Sequence, residues 1–244
     1  MIFHFSREGM CYLLDGEPHD FFDIDKNYLQ SIMGNYPRFE DYCKTNDYID
    51  GGGNYSEELQ DIISVIKHND YKVAKINESF LGTEFTSMIY IKDESAVIAG
   101  LERKRKYKLS IIKSKQEVEA EIKQLLSLVP GRSCERNIGL DLSSSVAEEV
   151  LAIYEDDSSD SRLADKTGLR VEDVKFLLDG VQGSNRCRIN VFRNEDNIGA
   201  IAFNMNLDNM VAMRFVTSPR GDLTCFESIP NDNLLEYILD FKEM

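Results

Sequence analysis

The sequence predicts an α+β protein made by internal duplication: two halves related by a pseudo-twofold, with an antiparallel sheet flanked by helices. Three observations carry this expectation. Short runs alternate apolar and polar residues, the period of a half-buried strand, and they come in two groups of four. Each group is flanked by segments whose apolar residues recur at helical spacing. The two groups also keep the same order at a nearly constant distance, which marks a repeat. Tyr107 corresponds to Asp222, 115 residues on, while Val118 to Leu234 and Ile122 to Ile238 are each 116.

In the first half, Ser56 is placed to cap a helix, with Glu57 and Glu58 in its first turn. Leu59, Ile62, Ile63 and Ile66 then follow the i, i+3, i+4, i+7 pattern until His68. Strands are expected over 71–77, 85–91, 96–101 and 107–113. The last alternates clearly, with Tyr107, Leu109 and Ile111 on one face and Lys108 and Ser110 on the other. A helix opens at Ser114 with Glu117 as its capping-box partner and carries Val118, Ile122, Leu125 and Leu126. Pro130 and Gly131 end it.

The second half repeats the order. Val171, Val174 and Leu178 have helical spacing, and Gly180 and Gly183 are read as its stop. Cys187, Ile189 and Val191 alternate with Arg188 and Asn190, and strands follow over 198–206, 210–216 and 222–228. A final helix carries Leu234, Leu235, Ile238 and Leu239. Each half also has a helix in front: one near 6–14, and one capped by Ser143 with Val146, Val150, Ile153 and Tyr154. Each half thus reads α-α-β-β-β-β-α. The first occupies 1–130 and the second 143–244, joined by a linker over 131–142, and the two are expected to form one compact unit. The first half alone carries an insert over 17–43, rich in Asp and aromatics.

Composition limits the function. The chain has 244 residues, 42% of them hydrophobic, which suits a folded core. No apolar run nears the ~18–20 residues of a membrane span, and the first residues lack the basic and apolar regions of a signal peptide, so a cytoplasmic location is expected. A net charge of -15 argues against nucleic acid as the main partner. The five cysteines, Cys11, Cys43, Cys134, Cys187 and Cys225, show no paired spacing and read as reduced thiols rather than a disulfide frame or zinc site. No nucleophile, metal or phosphate signature appears, so no catalytic residue, metal or cofactor is expected. Gly51, Gly52 and Gly53 precede a helix but lack a P-loop Lys and Ser/Thr, and read as a turn. The acidic cluster Asp15, Glu17, Asp20, Asp23 and Asp25 departs from a calcium loop and reads as a solvated surface. The basic run Arg103, Lys104, Arg105 and Lys106, with Lys108 and Lys113, reads as a charged hairpin that keeps a sheet edge soluble.

Several stretches resemble the EspG-type chaperones of type VII secretion and their Gram-positive relatives. One is Asp47-Tyr48-Ile49-Asp50-Gly51-Gly52-Gly53, followed by Ser56-Glu57-Glu58-Leu59. Another is the hairpin series over 87–98 and 103–112, closed by the helix from Ser114. Lys166-Thr167-Gly168-Leu169-Arg170-Val171-Glu172-Asp173-Val174 echoes the first in the second half, and the segment from Asn233 to Ile238 also matches. The likeness spans nearly the whole chain and departs at the insert over 17–43. It implies a pseudo-twofold fold and a non-enzymatic binding protein that holds helical secretion substrates soluble and helps present them to the secretion machinery. Clients implied are WXG-like proteins or toxins with a helical N-terminal domain. A cytosolic immunity protein that neutralises a toxin is the competing reading, and a small enzyme is a third.

The candidate partner-binding residues lie in the second half. Met205 and Met210 form the expected apolar centre, since methionine surfaces adapt to apolar partners. Asn194, Glu195, Asp196 and Asn197, in a polar loop between strands, form the expected rim. Met213 and Phe215 alternate with Val211 and are assigned to the core. The resemblance places client contact at this end of the second half.

Overall fold

The structure is a computed structural model that describes residues 1–32, 36–79, 82–102, 106–127, 137–155, 160–182, 186–193, 196–204, 210–216 and 221–229. The chain is α+β, with eight helices and ten strands among the described residues. In sequence these are β1 (Ile2–Ser6), α1 (Arg7–Leu13), α2 (Lys26–Ser31), α3 (Tyr36–Thr45), α4 (Glu57–Lys67), β2 (Tyr71–Ser79), β3 (Gly82–Lys92), β4 (Ser95–Glu102), β5 (Lys106–Ile112) and α5 (Lys115–Ser127). There follow β6 (Gly139–Ser143), α6 (Ser144–Glu155), α7 (Asp160–Thr167), α8 (Val171–Val181), β7 (Arg186–Arg193), β8 (Asp196–Asn204), β9 (Met210–Val216) and β10 (Leu223–Ser228).

Two compact units result: Met1–Lys72 with Phe85–Ala120, and Val73–Glu84 with Glu121–Met244. In the first, the strand order is β1-β5-β4-β3; in the second, β2-β7-β8-β9-β10-β6. Each described pairing is antiparallel. Counted from the edge, the same connectivity recurs, as duplication requires. The front of each half differs from the expectation: a strand precedes the first helix, β1 in one half and β6 in the other. Gly139 to Leu142, read as part of the linker, therefore belong to a strand. Both runs have only two buried residues, Phe3 and Phe5 or Leu140 and Leu142, too few to signal a strand without the partner across from them.

Local chemistry accounts for three helix starts. The Ser6 hydroxyl accepts from the Gly9 amide at 3.1 Å and caps α1. The Asp25 carboxylate does the same for α2 through the Tyr28 amide at 2.6 Å. Ser56 occupies the cap position of α4, but its side chain makes no capping bond. That start instead rests on Glu57 and Glu58 in the first turn and on the Ser56 amide donating to the Tyr48 carbonyl at 2.9 Å. In α8 the helix runs through Gly180, which is buried, to Val181; a lone glycine is no stop when its neighbours pack.

The insert is structural. It forms α2 and α3 and supplies Phe21, Phe22 and Ile24 to the core, each no more than 4% exposed. Phe22 meets Tyr107 of β5 edge-on, with ring centroids 5.0 Å apart. Arg7 holds the segment from α1: its guanidinium lies 3.6 Å from the centre of the Tyr28 ring and pairs with Asp23. Asp15 pairs with Lys67. Three acids of the cluster thus pair a cation or cap a helix. Tyr48 covers the same face nearer the edge, its ring 5.0 Å from Phe3 and 5.3 Å from Phe5.

In the second unit the corresponding face packs on α6, α7 and α8. Leu140, Leu142, Val211 and Phe226 from the strands meet Val150 and Ile153, Leu163, and Val174, Leu177 and Leu178 from the helices. α7 was not foreseen; its eight residues bury only Leu163, so its sequence carries almost no stripe.

Cys11, Cys43 and Cys225 are buried, and desolvation pushes each thiol up to about 11. Their folded-state values lie above the unfolded ones, so the unfolded chain loses these protons first as pH rises. The stability they contribute is whole below about pH 9 and is lost progressively toward pH 11. Native protein should therefore react with iodoacetamide at these positions on the order of a hundredfold more slowly than urea-unfolded protein at mildly alkaline pH, read by peptide mass spectrometry.

Candidate docking surface

The β7–β8 hairpin is regular until its end. Ile189 faces Ile201 and Val191 faces Gly199; a bulge then shifts the register so that Phe192 faces Asn197 and Arg193 faces Asp196. Bulges turn the strand end and re-aim its side chains. Here the turn is held by the Asn197 side-chain oxygen, which accepts from the Gly199 amide at 3.2 Å. Asp196 and Asn197 are exposed, and Phe192 and Ile198 are half-buried.

The neighbouring strand β9 supplies an apolar group at the same end. Gly199 faces Arg214, the last pair of the β8–β9 register, so Phe215 follows just past it at the end where Ile198 is the extra residue of the bulge. Val211, Met213 and Phe215 share one face of β9 by alternation. Their burial falls along the strand: Val211 is fully buried, Met213 packs partly against the core, and Phe215 is 40% exposed. Phe215 lies opposite Thr224 of β10, which is buried and 3.4 Å from the Ser144 hydroxyl at the start of α6. The helices thus cover the face as far as Met213 and leave Phe215 beyond them. Phe215, Ile198 and Phe192 thus lie at one end of neighbouring strands, the end that also carries Asp196 and Asn197.

This differs from the expected surface in two ways. Phe215 was assigned to the core and is exposed; alternation fixes the face but not how far the covering helices extend. The expected centre and rim also separate. Asp196 opens β8, while Met210 sits opposite Phe203 near its other end. Seven residues at ~3.3 Å each put about 23 Å between them. Met210 therefore cannot serve as the centre of a patch rimmed by Asp196 and Asn197. Asn194, Glu195 and Met205 lie outside the described residues, as does the Met210 side chain.

The other motifs resolve into structural roles where they are described. The Asp50 carboxylate accepts from the amides of Gly52 and Asn54 at 2.8 Å each, and the Asn54 amide foremost holds its pKa below the usual range. Gly53 adopts φ +85°, the conformation that favours glycine. The triple glycine is thus a turn stapled by its own acid. Of the basic run, Arg103 to Arg105 lie outside the described residues, while Lys113 pairs with Asp61. Among the described residues, no group of three His, Cys, Asp or Glu is placed to hold a metal ion, and no helix is long and apolar enough to cross a membrane.

No protein-family model and no curated protein matches the sequence. The chain is similar to the Mycobacterium tuberculosis type VII secretion system chaperone EspG5, solved in complex with a PE25–PPE41 dimer. The TM-score is 0.64, and the match covers 99% of this chain and 96% of that one at 8% sequence identity. The fold is EspG-like. At that identity the likeness lies in the arrangement of elements, which both chains keep almost from end to end.

In the EspG-like fold described here, Phe215 and Phe226 should respond oppositely to truncation. Phe226→Ala removes a fully buried ring and should cost about 3–5 kcal/mol. Phe215→Ser should change stability by no more than about 1 kcal/mol, since the ring sits outside the core. Urea midpoints of the two variants measure the contrast.

Proposed function

We propose that this chain is a cytoplasmic, non-catalytic chaperone or adaptor. Its client is a helical type VII secretion substrate, either a WXG-like protein or the helical targeting domain of a toxin, which it keeps soluble for export. The observation that supports this most is the end-to-end likeness to EspG5, a chaperone of that secretion system solved with a bound protein dimer. The client docks on the hairpin end of the second unit. A helical protein awaiting export exposes apolar side chains, and it needs an apolar centre with a polar border to shield them. Phe215 and Ile198 supply the centre, and Asp196 and Asn197 the border. The net charge of -15 keeps the loaded chaperone soluble and turns it away from nucleic acid.

The test is co-expression with each WXG-like or toxin protein encoded beside this chain in its own genome, followed by co-purification. A stable complex through the helical targeting region is expected. Capture only by a toxic domain, or no complex with any neighbour, would overturn the reading. Phe215→Asp buries a charge against the client and should weaken the complex by about 2 kcal/mol or more while leaving the circular dichroism spectrum unchanged. Unaltered affinity for that folded variant would move the docking surface elsewhere.

A further inference from the structure

The first unit holds a cavity of about 260 Å³ between β1, the start of α1, and α3. Its floor is Phe5 and Phe39, with ring centroids 6.2 Å apart. Gly9 makes the room: a Cβ there would stand 3.3 Å from both rings. His4 and Tyr42 form a wall, and Arg38 and Lys106 stand at the mouth. The wall groups are already engaged. The Tyr42 hydroxyl donates to the His4 carbonyl at 2.5 Å, and His4 Nδ1 lies 3.1 Å from the Glu102 carboxylate.

The two cations at the mouth are different. Neither Arg38 nor Lys106 has an ion-pair partner among the described residues, whereas Lys44, Lys67 and Lys113 each meet a carboxylate. Acids outnumber bases 43 to 28 in this chain, whereas the cavity lining carries two cations to one acid, with Glu102 across from Lys106 in the β4–β5 register. Glu8 is the single acid that lines the cavity. The arrangement is an aromatic floor with two positive charges on the same lining. An inorganic anion would gain the charges and nothing from the rings. An apolar group would gain the rings and nothing from the charges. A short peptide that carries a carboxylate beside an apolar side chain uses both.

We propose that this cavity binds an acidic peptide segment of a partner protein. The carboxylate lies between Arg38 and Lys106, where the guanidinium can donate two parallel hydrogen bonds to it. The adjoining apolar side chain rests on Phe5 and Phe39. The site uses residues of the first unit only, none of which belongs to the client surface, and it gives the adaptor a second partner. Its truth does not depend on the identity of the client.

The experiment is a titration of the full chain followed by NMR of the histidine rings. The chain has three histidines, so the His4 signals can be assigned and His68 serves as an internal control. The probe is a blocked tetrapeptide in which two leucines alternate with two aspartates. The controls are the same peptide with asparagines, and inorganic phosphate. The acidic peptide should shift His4 saturably and leave His68 in place, with affinity falling as salt is added. The double variant Arg38→Glu, Lys106→Glu should lose about tenfold or more in affinity. Both side chains are exposed, so the fold should persist; if circular dichroism shows otherwise, Arg38→Gln, Lys106→Gln is measured in its place. The proposal fails if His4 does not move, if phosphate or the asparagine peptide binds as well as the acidic one, or if the folded variant binds as tightly as the parent.

Discussion

Each unit depends on the pairing of a short edge strand with a strand far away in the chain. Phe3 faces Leu109, and Leu140 faces Phe226. These pairings set three things together. They put Phe3 and Phe5, or Leu140 and Leu142, on the face that the helices bury. They fix the register of the edge, since a slip by one residue would send Ile2 and His4 inward and both phenylalanines into water. And they start the following helix at the sheet: Ser6 ends β1 and caps α1, while the Ser144 amide at the head of α6 donates to the Asp222 carbonyl beside β10.

The same sheet plan is covered by different means in the two halves. In the first, the insert brings Phe21, Phe22 and Phe39 against the strands, and Arg7, Asp23 and Tyr28 hold it in place. Its last helix also places the Tyr42 hydroxyl on the His4 carbonyl of the edge strand, which removes one backbone acceptor from a place where another strand could pair. In the second half, α6, α7 and α8 do the covering and stop short of Phe215. Duplication supplies one plan, and the unequal covers give each half its own surface: a cation-rimmed cavity in the first and an apolar hairpin end in the second.

The repeat was legible because strand and helix periods survive in both halves. Leu59 and Val174, 115 residues apart, fall on matching helix faces and both are fully buried, as their spacing implies. The candidate site was half legible. The polar loop ending at Asn197 pointed to the hairpin end near which Phe215 is exposed, but Met210 was joined to it across the length of a strand. Nearness in sequence hid that distance, because a hairpin separates residues by extension along one strand before it returns. Phe215 carried no signal of its own exposure, since its place in the alternation is the same as that of buried Val211 and Met213. Arg38 and Lys106 lie far apart in sequence, and only the pairing of β1 with β5 and the packing of α3 bring them to one cavity.

The amino-acid sequence by itself determined the class of the fold, the duplication, the position of most strands, and the acidic, thiol-bearing character of the chain. Those properties follow from periodicity and composition, which are local or additive. Tertiary structure decided the edge strands, the fate of the insert, the end of helix cover at Phe215 and the cavity over Phe5 and Phe39. Each of these depends on which segment lies against which. A five-residue run such as Ile2–Ser6 becomes a strand only when Lys106–Ile112 is beside it to take its hydrogen bonds.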